Sequence, residues 1–418
     1  MEIVNLKLAL AVLVGIGFVG AIIARRVGVP MITGYLIIGM ILSPSVTPIL
    51  SKELLTSMTD IIAPLTLGII AYLIGGSLYL PNIARFGRVI AVITLFQGIA
   101  PWIGVALLIT FVGPWLITTG DIGFRSFLIM GIVGGAISLA TAPAGTMAVI
   151  REYRAKGPLT TIMLSVVALD DGLAIVATAA ALAMVSALVG GGASVGQLFL
   201  GAAGEIVFSL GLGIVVAGGL IYIAKHTRRR SELLLVVFAA IIFCIGVAQL
   251  LHLSYLMANM ALGFVVVNRM KDTGQMFSVV YDVEELLYAI FFTLVGAKLD
   301  LSLLASGGAL AVLIVLGRMG GKFFGSALGA TLSGAPPQVR QYLGLGLLPK
   351  AGVTVGLALL VGQDPRMAGI SEIFINGILA STIINQLISP PLVKLALIKS
   401  GEAGQATEDP DAEMDRQH

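Results

Sequence analysis

Two aspartates stand side by side in the middle of an apolar run, Thr160-Thr161-Ile162-Met163-Leu164-Ser165-Val166-Val167-Ala168-Leu169-Asp170-Asp171-Gly172-Leu173. An ionised carboxylate at the centre of a bilayer costs about 2.5–3.5 kcal/mol on insertion scales, so two adjacent ones imply a use. Neighbours on a helix point about 100° apart, which lets one meet an adjoining helix while the other faces a cavity. Burial disfavours the charged form of a carboxylate, the condition under which the same oxygens hold a proton and a cation in turn near neutral pH. Positive charge comes from Leu316-Gly317-Arg318-Met319-Gly320-Gly321-Lys322-Phe323-Phe324-Gly325. Arg318 and Lys322 are four apart and share a helix face, and the glycines at 317, 320, 321 and 325 permit close helix approach. Either base can pair with Asp170, and the sequence leaves that choice open. Lys350, in Leu347-Leu348-Pro349-Lys350-Ala351-Gly352, is placed to offset the negative end of a half-helix or to bind the far end of the site.

Other ionisable residues carry less. Glu205 reads as snorkelling, Asp282, Glu284 and Glu285 as a solvated entrance, and Lys298 as part of an external loop. His226, His252 and His418 lack metal-ligand spacing, and no phosphate loop or nucleophile elbow is present, so neither an enzyme nor a cofactor is expected.

The elements that must position these groups follow from composition. The 418 residues are 58% hydrophobic and 11% charged, where a soluble protein has about 25% charge, so apolar side chains must face lipid. A net charge of +3 excludes a nucleic-acid partner, and the lone Cys244 excludes a disulfide framework. Thirteen apolar runs are long enough to be membrane helices, among them Val89 to Val112, Phe127 to Ile150, Leu159 to Leu188, Val195 to Ala224, Val280 to Gly296, Ala309 to Thr331 and Tyr342 to Val361. Seventeen Lys and Arg outside the runs then fall on one side, and five (Lys7, Lys52, Arg125, Lys298 and Arg366) on the other. The positive-inside rule puts the N-terminus outside and the C-terminus in the cytoplasm of a multi-pass inner-membrane protein. The acidic stretch at 399–418 reads as a disordered cytoplasmic tail.

Runs one to six and eight to thirteen flank the seventh, 191–231, as a connector, which makes the two halves inverted repeats. The fifth run contains Ser138-Leu139-Ala140-Thr141-Ala142-Pro143-Ala144-Gly145 and the twelfth Leu347-Leu348-Pro349-Lys350-Ala351-Gly352-Val353-Thr354, so each is expected to be a broken helix that frees backbone groups against protein or a watery cavity. Asp170 follows Pro143 by 27 residues, and the same offset from Pro349 reaches Asn376, the neutral counterpart in the second half.

As a set, Thr141-Ala142-Pro143-Ala144, Asp170-Asp171 and Lys322-Phe323-Phe324-Gly325 resemble the second branch of the monovalent cation:proton antiporter superfamily, the bacterial sodium/proton exchangers. The resemblance runs from Val29-Pro30 to Pro390-Pro391. It implies an all-α polytopic membrane protein of 13 transmembrane helices, with two inverted six-helix repeats and two discontinuous crossing helices. It further implies a homodimer through a bundle of 1–82 and 232–298, and a moving ion-transport core of 83–190 and 308–398. Asp171 would bind sodium (or lithium, or potassium) and protons with help from Thr141 and freed carbonyls, while Asp170 would form an ion pair with Lys322 or Arg318. Paired aspartates imply electrogenic exchange and a role in pH homeostasis. Lys350 departs from the family, where many relatives carry arginine.

A potassium/proton antiporter, a cation channel and a sodium-coupled symporter are the competing functions. No repeated carbonyl-filter motif supports a channel, and adjacent aspartates favour proton exchange over symport.

Overall fold

The computed structural model describes residues 6–47, 49–117, 123–189, 195–227, 229–270, 274–298, 303–350, 354, 357–358, 361, 367 and 369–406. They form helices α1 (Leu6–Arg26), α2 (Met31–Ile41), α3 (Lys52–Ser77), α4 (Leu80–Leu107), α5 (Gly113–Leu116), α6 (Phe124–Ile137), α7 (Pro143–Glu152) and α8 (Pro158–Val189). The second half contributes α9 (Val195–Ala224), α10 (Arg230–Leu250), α11 (Tyr255–Arg269), α12 (Gly274–Lys298), α13 (Leu303–Ser333), α14 (Pro337–Gly346) and α15 (Ser371–Lys399). Among the described residues, eight helical stretches are long and apolar enough to cross a membrane, and many apolar side chains on α1, α9 and α10 remain exposed on their outer faces. A helix satisfies its own backbone, which is why such faces can lie in lipid.

Two boundaries differ from the sequence reading. The fourth run extends through a π-helical turn, Leu108–Val112, into α5, because Pro114 withholds the amide that would continue the regular ladder. The tenth starts earlier, at Gly274, so Glu284 stands within α12, where it is only 6% exposed and accepts a 2.6 Å hydrogen bond from Tyr288. It is a buried, bonded carboxylate, and with the exposed Glu285 it lines a cavity of about 730 Å³. Lys298, by contrast, is exposed at the last residue of α12.

Both expected helix breaks are present. The fifth run stops at Ile137 and resumes at Pro143, a residue suited to the first turn of a helix because its missing amide would have no partner there. The twelfth stops at Gly346, and its stretch from Ala351 to Val361 lies mostly outside the described residues. The breaks meet: the Ala142 amide donates to the Pro349 carbonyl at 2.8 Å.

Helix α13 lies against α4 along a glycine face. A Cβ at Gly317 would meet the Gly104 carbonyl side of α4, one at Gly321 the backbone of Pro101, and one at Gly325 the Phe96 carbonyl at 2.5 Å. Gly320 faces open space, so of the four glycines read from the sequence only these three set the approach. Helix α8 passes between two apolar clusters: Val166, Val167 and Ala168 belong to one, and Ala174, Ala177 and Ala181 to another. Asp170 and Asp171 occupy the seam.

The start of the C-terminal tail is ordered, contrary to expectation. Glu402 accepts from the Leu159 and Thr160 amides at 2.6 and 2.7 Å and from the Thr160 hydroxyl at 2.7 Å, capping the first turn of α8. Backbone bonds from Lys156 to Glu402, Gly404 to Tyr153 and Ala406 to Arg154 hold the strand of tail beside the α7–α8 connection. Six acidic or polar residues in sequence suggested solvation; what fixes the segment instead is a helix terminus with unsatisfied amides. Residues 407–418 lie outside the described residues.

Gly321→Ala is expected to lower thermal stability in detergent by an amount matching about 1–3 kcal/mol of overpacking, with Gly320→Ala near neutral. Glu402→Ala should cost about 1–2 kcal/mol as a lost cap, read as a lower melting temperature and faster amide exchange at Leu159 and Thr160.

Candidate ion-binding site

Four elements converge on Asp170. Helix α8 brings the carboxylate, α13 brings Lys322, the first break brings Thr141, and α4 brings Gln97; all four side chains are essentially inaccessible. Lys322 Nζ donates to Asp170 Oδ2 at 3.0 Å, to Thr141 Oγ1 at 2.9 Å and to Gln97 Oε1 at 2.5 Å. An ammonium has three hydrogens, and each has an acceptor. Asp170 also accepts from Thr141 Oγ1 at Oδ2 and from Gln97 Nε2 at Oδ1, both at 2.5 Å. The ring of four is thus closed on itself. A buried ion pair is tolerable in low dielectric only with its remaining donors and acceptors satisfied, which Thr141 and Gln97 accomplish.

Arg318 sits one helical turn away on α13 and does something else. Its Nε donates to the Ser138 carbonyl at 2.8 Å, Nη1 to Leu348 at 2.6 Å, and Nη2 to Ala140 at 2.9 Å and to Leu347 and Pro349 at 3.3 Å. These are the carbonyls released where α6 and α14 end, so one guanidinium meets the negative ends of two half-helices. Between the two bases, the geometry gives Lys322 to Asp170 and Arg318 to the backbone. The freed carbonyls expected beside the ion are, in this conformation, held by Arg318, and the Thr141 hydroxyl is held by the ion pair.

Asp171 stands apart. It is 2% exposed, and neither carboxylate oxygen has a hydrogen-bond partner among the described residues. It borders a cavity of about 30 Å³, on the order of two water-sized sites, walled by Leu67, Ile70 and Ala71 of α3, Leu256 and Met260 of α11, and the first break from Ala140 to Ala144. Thr354, from the far side of the second break, lines the same space and leaves its own hydroxyl unpaired. An unpaired carboxylate in an apolar cavity is a place for a proton or a monovalent cation.

Lys350 is inaccessible and donates to Ser381 Oγ on α15 at 2.9 Å, while Gln386 donates to its carbonyl. Asn376 lies five residues before Ser381, half-buried with its backbone against Gly307 of α13, and is not brought into the Asp170 ring. Glu205 is half-buried on α9. Two side chains were missed from the sequence. Gln97 was visible as the single amide in the run Val89 to Val112, an expensive group in lipid and therefore a signal; Ser381 carried none, since serines are common in membrane helices. Among the described residues, no cluster of His, Cys, Asp and Glu has the makings of a multidentate metal site.

A dissatisfied buried acid thus stands beside a sealed ion pair where two interrupted helices meet. The family described as sodium/hydrogen exchanger, transmembrane, matches residues 9–395, and the chain belongs to that family. It is 23% identical over 387 residues to the high-affinity Na+/H+ antiporter NhaS3 of Synechocystis sp., covering 88% of this chain and 78% of that one. In fold it is similar to the sodium proton antiporter MjNhaP1 of Methanocaldococcus jannaschii. One structure of that protein gives a TM-score of 0.73 at 18% identity over 100% of this chain and 99% of that one. Another, at pH 8, gives 0.64 at 17% identity over 94% and 98%.

Lys322→Met should leave Asp170 an uncompensated buried charge and destabilise by about 3–5 kcal/mol, while Lys322→Met with Asp170→Asn should recover most of the loss. Thermal unfolding of the three variants in detergent checks the coupling.

Proposed function

We propose that the chain exchanges sodium, or lithium, for protons across the inner membrane by alternating access, with Asp171 as the group that both cargoes occupy in turn. The observation that carries this reading is the contrast between neighbours: every oxygen of Asp170 is engaged, and both oxygens of Asp171 are unpartnered. Binding a cation at Asp171 displaces its proton because two positive charges cannot share one carboxylate in so small and apolar a space. Lys322 and Asp170 form the second proton-sensitive element, which favours electrogenic exchange, and Arg318 holds the two breaks in register. The name of the cyanobacterial relative, a Na+/H+ antiporter, supports sodium as cargo.

The proposed topology has thirteen spans in two inverted repeats, N-terminus outside and C-terminus cytoplasmic. The packing of α1–α3 with α10–α12, and of α4, α6 and α8 with α13 and α15, supports a division into a dimerisation bundle and an ion-transport core, with α9 as connector. Helix α9 packs on α8, α10 and α11, as a connector between bundles would. A homodimer and a role in pH homeostasis follow from the family. Potassium is the second cargo reading, since an acid with one hydroxyl nearby does not by itself select an ionic radius.

In proteoliposomes holding an acid-inside gradient, external sodium should dissipate the gradient, and Asp171→Asn should abolish the response while keeping the fold. Full exchange by Asp171→Asn, or identical responses to sodium and potassium, would overturn the carrier assignment or the cargo assignment respectively. A voltage clamp by valinomycin and potassium that accelerates the sodium response marks electrogenicity.

A further inference from the structure

Alternating access requires the half of the Asp171 cavity built by the first break and α8 to shift against the half built by α3 and α11. That second wall, Leu67, Ile70, Ala71, Leu256 and Met260, contains no polar side chain and offers nothing directional to resist sliding. Directional contacts across the same boundary do occur at the other end of α7, around a separate cavity of about 730 Å³. There the Arg151 guanidinium lies 3.7 Å from the ring centroid of Tyr281 on α12. The next residue, Glu152, accepts from the Met31 amide at 2.8 Å, the first residue of α2. Both contacts leave one half-helix of ten residues and land on helices of the opposite bundle. Tyr281 is held near the bonded pair of Glu284 and Tyr288, so its ring is backed by buried structure.

We propose that Arg151 and Glu152 are positioning residues of the exchange cycle: they fasten the end of α7 to α12 and α2 in this conformation and must let go each time the site changes sides. The inference rests on the exchanger reading above and adds the residues that set the balance between its two conformations. The seventeen-to-five asymmetry of basic residues puts this end of α7, and the large cavity, on the cytoplasmic side. Arg151 and Glu152 therefore favour the conformation in which the cytoplasmic cavity exists. A cation held over an aromatic face and a carboxylate on a helix N-terminus each contribute enough to shift a two-state population by about three- to tenfold.

The test uses the full chain in proteoliposomes in a Cys244→Ser background, with Met260→Cys as a reporter. Met260 lines the Asp171 cavity, is buried in this conformation and lies in the half of α11 that the proposed topology puts toward the outside, so labelling by an impermeant maleimide added outside reads the opposite conformation. Arg151→Gln, Tyr281→Leu and Glu152→Ala are each expected to raise the labelling rate about three- to tenfold. Tyr281→Phe keeps the ring but loses the hydroxyl that meets Arg151, and should fall between the parent and Tyr281→Leu. Arg151→Gln with Tyr281→Leu should exceed neither single variant, because both remove one contact. Exchange should show a higher KM for sodium on the cytoplasmic side with kcat unchanged or raised. Unchanged labelling in the single variants, or additive effects in the pair, overturns the proposal, and a lower melting temperature alone counts as the same negative result. Where Arg151→Gln does not fold, Tyr281→Leu and Glu152→Ala decide. Labelling needs no exchange, so a parent that moves no sodium defeats the exchanger reading while the comparison still judges these contacts.

Discussion

Interrupting a helix inside a bilayer releases carbonyl oxygens that lipid cannot satisfy, and the rest of this structure depends on how those oxygens are held. One side chain, Arg318, takes carbonyls from both interruptions, and the bond from Ala142 to Pro349 ties the interruptions to each other. Guanidinium suits the task because five donors in a plane reach several acceptors at once while the positive charge meets two helix ends of negative polarity. With Arg318 engaged there, the remaining base on the same face, Lys322, is left for Asp170. Asp171 is left with nothing. The asymmetry between two chemically identical neighbours therefore begins with the backbone, and only afterwards involves the acids themselves.

Close approach is the second requirement. Lys322 reaches Gln97 and Asp170 because α13 presses against α4 through Gly317, Gly321 and Gly325, each a turn from the next. A methyl group on that face would move the ammonium outward and open the ring of hydrogen bonds. Glycine spacing and buried charge are thus one feature seen twice: the residues that carry chemistry follow the residues that permit contact.

Much of this was legible in sequence, and the rest was hidden for identifiable reasons. Apolar run length and the prolines at 143 and 349 announced the helices and their breaks, because a bilayer punishes any other arrangement. The acids at 170 and 171 announced themselves by their expense. The choice between Arg318 and Lys322 was not legible, since a four-residue spacing puts both on one face and only the depth of each side chain separates them. Gln97 was legible in principle and passed over. The matched offset to Asn376 gave no hint of Ser381, which takes the bond from Lys350, because a serine in a membrane helix carries no mark of its own. Glu402 was illegible, for its partner lies 242 residues earlier and nothing local in an acidic tail marks one carboxylate out.

That last contact also orders the birth of the molecule. Membrane helices enter the bilayer as they are made, yet α8 receives its terminal acceptor from Glu402, 242 residues after Thr160, and Asp170 receives Lys322 from a helix made 152 residues later. While those residues are being made, the first half waits in the membrane with uncapped amides and an unpaired acid at Asp170. Its carboxylates are best kept protonated or near the surface until the second half arrives, which makes closure of the ring a checkpoint of assembly.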